Sequence, residues 1–241
     1  MTDVVHSGAE DAGPADPRTR AHLESLLRAL PGLHAQGPTL LEWGATLAGV
    51  LDRGGRLLVA GNGGSAAEAQ HLTSELVGKM SADRRPLSAI ALNAETSSLT
   101  AISNDFGFAE VYARQVRAHG RPGDILLTLS TSGRSANLLA ATAAAREVGM
   151  ARWALTGPTP NPLAQRSDAY LWVASPDPQT VQELHLVCVH LLCAHVDAHL
   201  PRPAFAAAHA AAPREAVSPV VEVALEPETV PVVAGRAERG A

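Results

Sequence analysis

Aromatic residues are scarce: Phe, Trp and Tyr together make up 3% of the 241 residues. Hydrophobic residues make up 46%, and much of that is Ala. Few rings and many small side chains suit helices packed on a sheet better than an all-β core. Cysteine is nearly absent as well; Cys188 and Cys193 are the only two. Both fall in one predicted helix and point about 140° apart, so they are not placed to bond each other. They read as core thiols of a reducing compartment, and the expected location is the cytoplasm. No apolar run reaches the roughly 18 residues of a membrane-spanning helix. The first stretch, MTDVVHSGAEDAGPADP, is polar and acidic and has no apolar signal-peptide segment. Positive charge is not in excess either: 19 Lys and Arg against 24 Asp and Glu leave a net charge of −5. Neither nucleic acid nor a membrane is an expected partner.

What is present is an alternation of short apolar runs and helical patterns. Asp16-Pro17 opens a helix, with Asp as N-cap and Pro in the first turn. Leu23, Leu26, Leu27 and Leu30 follow at helical spacing, and Pro31-Gly32 is the expected stop. A second helix runs from about Pro38 to Leu51. Strands are predicted at Arg56–Ala60, Ser88–Leu92, Asp124–Leu129, Trp153–Thr156 and Tyr170–Ala174. Helices fall between them, and a long apolar one runs from Gln179 to about Leu200. Strands that are apolar end to end, alternating with helices, predict an α/β fold: a parallel sheet with helices on both faces, in three layers. Residues 16–200 form the expected single domain. Residues 1–15 and 201–241 are rich in small, polar and Pro residues and read as disordered tails.

The chain is organised around Arg56 to Met80, RLLVAGNGGSAAEAQHLTSELVGKM. A buried strand runs into Gly61-Asn62-Gly63-Gly64, and a helix begins near Ser65. Ser65 with Glu68 three residues on reads as a capping box. A second strand-end loop, Ser130-Thr131-Ser132-Gly133-Arg134-Ser135, offers four hydroxyls and several amides. Neutral donors at a helix N-terminus form a phosphate cradle by type, or else the two loops are ordinary turns with N-caps such as any α/β protein has. Neither loop matches a mononucleotide or dinucleotide fingerprint. His71 and Glu75 lie four apart and share a helix face. Gln182 and His190 lie on the last helix, with His185, His195 and His199. His71, Glu75, Gln182 and His190 can converge on a metal ion or supply an acid–base pair. Spacing does not choose between these, nor between a ligand and a buried, hydrogen-bonded His. Asn104-Asp105 sits in a predicted polar loop, where it can contact sugar hydroxyls or cap the next helix.

Four stretches in order, GNGGSAAEAQH with Glu75, SNDFGF, STSGRSAN and QELHLVCVH, resemble the phosphoheptose isomerase family of the SIS (sugar isomerase) fold. The resemblance spans about residues 20–200. It implies a five-stranded parallel sheet, flavodoxin-like in its layering, and a homotetramer with sites at subunit interfaces. It implies conversion of D-sedoheptulose 7-phosphate to D-glycero-D-manno-heptose 7-phosphate. By position, Asn62, Gly63, Gly64, Asn104, Asp105 and Gln182 would contact substrate. Ser130, Thr131, Ser132 and Ser135 would hold its phosphate, with Ser65 nearby. Glu75 and His190 would be the acid–base pair, and Glu75 would also touch substrate. His71, Glu75, Gln182 and His190 would hold one zinc per subunit. Arg134, Gln179 and the Pro158–Pro162 loop depart from the family pattern. A non-catalytic SIS protein that binds a replication-initiator-type partner, or an isomerase of another ketose phosphate, is the alternative. The stretches Ala91-Leu92-Asn93 and Leu99-Thr100-Ala101-Ile102 look somewhat like the initiator-associating branch. The presence of both Glu75 and His190 favours catalysis.

Overall fold

A computed structural model describes residues 16–80 and 83–201 of the chain. The expected tails, 1–15 and 201–241, lie outside the described residues apart from Pro201. Helices α1 (Pro17–His34) and α2 (Gly37–Asp52) precede strand β1 (Leu57–Gly61) and helix α3 (Gly64–Val77). Then come β2 (Ala89–Ala91), α4 (Thr96–Phe106), a 3₁₀ turn (Phe108–Glu110) and α5 (Val111–His119). β3 (Ile125–Ser130), α6 (Ala136–Val148), β4 (Ala151–Thr156), α7 (Pro162–Arg166), β5 (Ala169–Trp172) and α8 (Pro178–His199) complete the order. The five strands pair in parallel in the order β2-β1-β3-β4-β5.

The strands are apolar on both faces because both faces are covered. Leu57, Val59, Ile125, Leu127, Leu129 and Leu155 pack with α1, α2, α3 and α8 in one core. Leu58, Ala60, Leu126 and Ala154 face the other way, against α5, α6 and α7. This is the period-two alternation of a strand, read twice. Each fully buried Leu contributes about 2 kcal/mol of transfer free energy. The scarce aromatics are concentrated: Trp43 of α2 stacks on Trp153 of β4 with centroids 4.5 Å apart and planes 12° apart. Where α2 crosses α8, Gly44 leaves room for the backbone and Cβ of His195.

Several local expectations are corrected. α1 does not stop at Pro31; it runs through to His34. The carbonyl that Pro31 leaves without a donor belongs to Leu27, which is 66% exposed and open to water. Carrying the helix on buries Leu33 in the core. Asp16 caps α1 as expected, accepting from the amides of Arg18 and Thr19. The capping box at Ser65 does not form. α3 begins one residue earlier, and its N-cap is Gly63 at φ +56°, a conformation that favours glycine. Asn104 and Asp105 are not in a loop. They occupy the last turn of α4, which ends only where Gly107 takes φ +86°.

Candidate active site

In this strand order β1 and β3 are neighbours, and the chain leaves their carboxyl ends toward opposite faces of the sheet. A crevice outside such a switch point is where open α/β sheets hold ligands. The two singled-out loops lie there side by side. The Asn62 and Asn137 amides bond each other reciprocally, Asn62 Nδ2 to Asn137 Oδ1 at 3.0 Å and Asn137 Nδ2 to Asn62 Oδ1 at 2.8 Å. The Tyr112 hydroxyl donates to the Gly61 carbonyl at 2.5 Å and fixes the end of β1. Burial pushes that phenol up to about 12, so it remains a donor.

Asn62, Ser65, Ser130, Thr131, Ser132 and Ser135 line a cleft of about 90 Å³ with Leu129 at its base. Ser130 Oγ accepts from the Gly133 amide at 3.0 Å, and Ser132 Oγ from the Arg134 amide at 3.3 Å. Those bonds hold the loop curled while leaving each hydroxyl proton available. Ser135 is the N-cap residue of α6 but makes no side-chain bond to that helix. The N-termini of α3 and α6 both open on the cleft. The lining is neutral and rich in donors, which suits an oxyanion. Arg134 is exposed and is not part of the lining.

A second cluster lies between α3 and α8, which run alongside one another on the same face of the sheet. His71 Nε2 and His190 Nε2 are 2.9 Å apart, with the rings at 74°. His71 Nε2 is 3.7 Å from Glu75 Oε1. Glu75 Oε2 is buried and has no hydrogen-bond partner among the described residues. At the start of α3, the side chain of Gln182 fills the space that a Cβ on Gly64 would need. Gln182 therefore ties the first loop to α8. The five His of α8 and α3 separate cleanly. His190 is exposed and meets His71, whereas His185 is buried and held down to about 4 by desolvation. Glu68 shares the inward side of α3. It is 6% exposed, and burial raises its carboxyl to about 8. Asn104 and Asp105 are exposed, bond each other at 2.8 Å and do not line the cleft.

Three positioning residues were not singled out from sequence. Asn137 stands inside the quoted STSGRSAN stretch, yet only the tertiary pairing reveals that it holds Asn62. Tyr112 carries no local signal. Asn161 caps α7 through the Ala164 amide at 3.0 Å and packs its amide against Gly133. An Asn directly before Pro162 was the cue available.

Sheet order, switch-point cleft and paired loops define a SIS domain, and residues 25–157 match the family model described as SIS domain. The chain belongs to that family and, within it, to the phosphoheptose isomerases. It is 59% identical over 186 residues to the phosphoheptose isomerase of Streptomyces coelicolor, covering 77% of this chain and 80% of that one. It is 46% identical to that of Rhodospirillum rubrum, covering 66% and 85%. The phosphoheptose isomerase structure from Francisella tularensis superposes with a TM-score of 0.71 at 36% identity, covering 75% of this chain and 97% of that one. The Neisseria gonorrhoeae structure gives 0.69 at 39%, with the same coverage.

Proposed function

We propose that the chain converts D-sedoheptulose 7-phosphate to D-glycero-D-manno-heptose 7-phosphate through an enediol. The observation that carries this is the grouping of Glu75 and His190 around His71, beside a donor-lined cleft of oxyanion type. Aldose–ketose isomerisation moves a proton between two adjacent carbons and another between their oxygens. Glu75 accepts the carbon-bound proton and returns it to the neighbouring carbon. His190, able to donate or accept, serves the oxygens. Such positioned groups contribute about 10²–10⁴-fold. Ser130, Thr131, Ser132, Ser135 and Ser65 hold the phosphate at the far end of the substrate. Asn62, Gly63, Gly64 and Gln182 steady the sugar between the two centres, whereas Asn104 and Asp105, exposed on α4 and paired with each other, meet it only if substrate extends beyond the cleft.

Among the described residues no three His, Cys, Asp or Glu side chains are already drawn together to hold a metal ion, but the donor types here suit zinc. Two imidazole nitrogens face each other and a carboxylate has a buried, unpartnered oxygen. His71, Glu75, Gln182 and His190 would hold the ion. When bound, it would polarise the substrate carbonyl as a Lewis acid. His190 is open to solvent, between exposed Val187 and Leu191 on α8. Leu23, Leu27 and Leu30 form a second exposed apolar row on α1. These faces support a homotetramer in which neighbours cover the site. No described helix is long and apolar enough to cross a membrane, and the cytoplasm is the proposed location. The stretches that look like a partner-binding SIS protein are used internally. Leu99 and Ile102 pack on the core, and Asn93 donates to the Ala66 carbonyl.

The test is direct. Purified protein is incubated with sedoheptulose 7-phosphate, with zinc or with chelator, and the sugar phosphates are followed by NMR. Heptose 7-phosphate from wild type, and none from Glu75→Gln, is the expected result. No product from a folded, zinc-loaded assembly would overturn the assignment.

A further inference from the structure

The guanidinium of Arg84 sits where the two site-bearing helices must hold their spacing. Its side chain is 7% exposed, and that of its partner Asp197 is 14% exposed. Arg84 Nη2 donates to the Glu75 carbonyl at 2.6 Å and Nη1 to the Leu76 carbonyl at 2.8 Å. These are among the last-turn carbonyls of α3, which have no donor within the helix. A cation there also meets the negative end of the helix dipole. On its other edge, Arg84 Nε donates to Asp197 Oδ1 of α8 at 2.7 Å. Asp197 is seven residues beyond His190, hence within about 20° of it around the helix and about 10.5 Å along it. One rigid planar fork thus grips α3 at the turn carrying Glu75 and α8 on the face carrying His190. A lysine could satisfy one of these partners but not all three together.

We propose that Arg84 is a positioning residue for the isomerisation: with Asp197 it sets the separation of Glu75 and His190. The inference rests on the catalytic reading of those two residues. Arg84 touches neither the donor-lined cleft nor the two loops that form it. Its removal should therefore reduce the chemical step and spare substrate capture. Misplacing a reacting group by about 1 Å costs on the order of a hundredfold.

The experiment measures kcat and KM for zinc-loaded Arg84→Lys, Arg84→Gln and Asp197→Asn, with Arg85→Gln as control. Arg85 makes a comparable link elsewhere, to the Asp52 carboxylate and the Leu51 carbonyl of α2. Expected are kcat losses of about tenfold for Arg84→Lys and about a hundredfold for Arg84→Gln, with KM within about twofold. Asp197→Asn should fall with them, and the double variant should lose little more than Arg84→Gln alone. Arg85→Gln should lower the melting temperature without lowering kcat. Equal losses in Arg84 and Arg85 variants, scaling with melting temperature, would overturn the proposal and leave Arg84 a structural cap. Wild-type kcat in Arg84→Lys and Asp197→Asn would overturn it as well. If Arg84→Gln fails to fold, the Lys and Asn variants decide. Turnover retained by Glu75→Gln would instead refute the catalytic reading on which the clamp rests.

Discussion

Replacing Glu68 by Gln should change how stability depends on pH in a direction set by burial. The residue is 6% exposed, Oε2 has no partner among the described residues, and burial raises the group from 4.5 to about 8. Above about pH 4.5 the unfolded chain ionises Glu68 while the folded chain keeps its proton. The unfolded state then binds fewer protons, so stability falls as pH rises through this window and levels off above about 8. A tenfold change in proton affinity is about 1.4 kcal/mol. The undiminished effect between about pH 5 and about pH 8 would be about 3.5 kcal/mol. Relaxation of the fold and water penetration around the ionised carboxylate reduce this to about 2 kcal/mol. Gln has the same shape and no proton to release. Its own hydrogen-bond deficit adds an offset that does not vary with pH. The assay is urea unfolding at several pH values, at one protomer concentration and in chelator, since assembly and metal both shift apparent stability. The variant should gain about 2 kcal/mol on wild type between about pH 5 and about pH 8. Parallel curves for the two proteins would show that Glu68 ionises freely in the fold and would refute the argument.

Three further outcomes are expected. Ser130→Ala with Ser132→Ala removes two donors and the two turn bonds they accept, so KM for the sugar phosphate should rise about tenfold or more with kcat less affected; unchanged KM by NMR assay would remove these hydroxyls from the phosphate site. Gly64→Ala drives a methyl into the Gln182 amide, and should cut activity at least tenfold and lower the melting temperature by several degrees, as overpacking costs about 1–3 kcal/mol; normal turnover would show that Gln182 has no positional role. His185 is held neutral by burial, so stability should fall as pH drops from about 6.5 towards 4, and His185→Gln should flatten that limb in the same unfolding assay.

The sheet was legible because parallel strands covered on both faces are buried throughout and nearly all apolar, as LLVAG in β1 and ILLTL in β3 are, with Thr128 the one polar residue of the latter. Five runs with helices between them leave few topologies. Helix ends were less legible. Pro31 is a helix breaker by local rules, but the burial of Leu33 outweighs one lost bond. Ser, Asn and Asp near residue 104 have loop composition, yet the helix stops only when Gly107 provides positive φ. Ser65 and Glu68 have capping-box spacing, and tertiary packing claims Glu68 for the α3–α8 side instead. The meeting of His71 with His190 was legible only through family resemblance. Their helices are remote in sequence, and nothing in either helix alone says how they dock. Asn137 and Arg84 were missed for the same reason: each acts by a contact whose partner is set by the fold.

The stacked indoles of Trp43 and Trp153 also give the molecule an optical signature. Two parallel chromophores at 4.5 Å are close enough to couple as an exciton. One rides on helix α2 and the other on strand β4. The coupled signal of the strong far-ultraviolet indole band in circular dichroism therefore reports the seating of the N-terminal helices on the sheet rather than the state of the cleft. A ligand that bends a Ser130–Ser135 turn should leave it unchanged, whereas lifting α2 should erase it while the strands are still paired. Binding and partial unfolding can thus be told apart in one cuvette, with no added label.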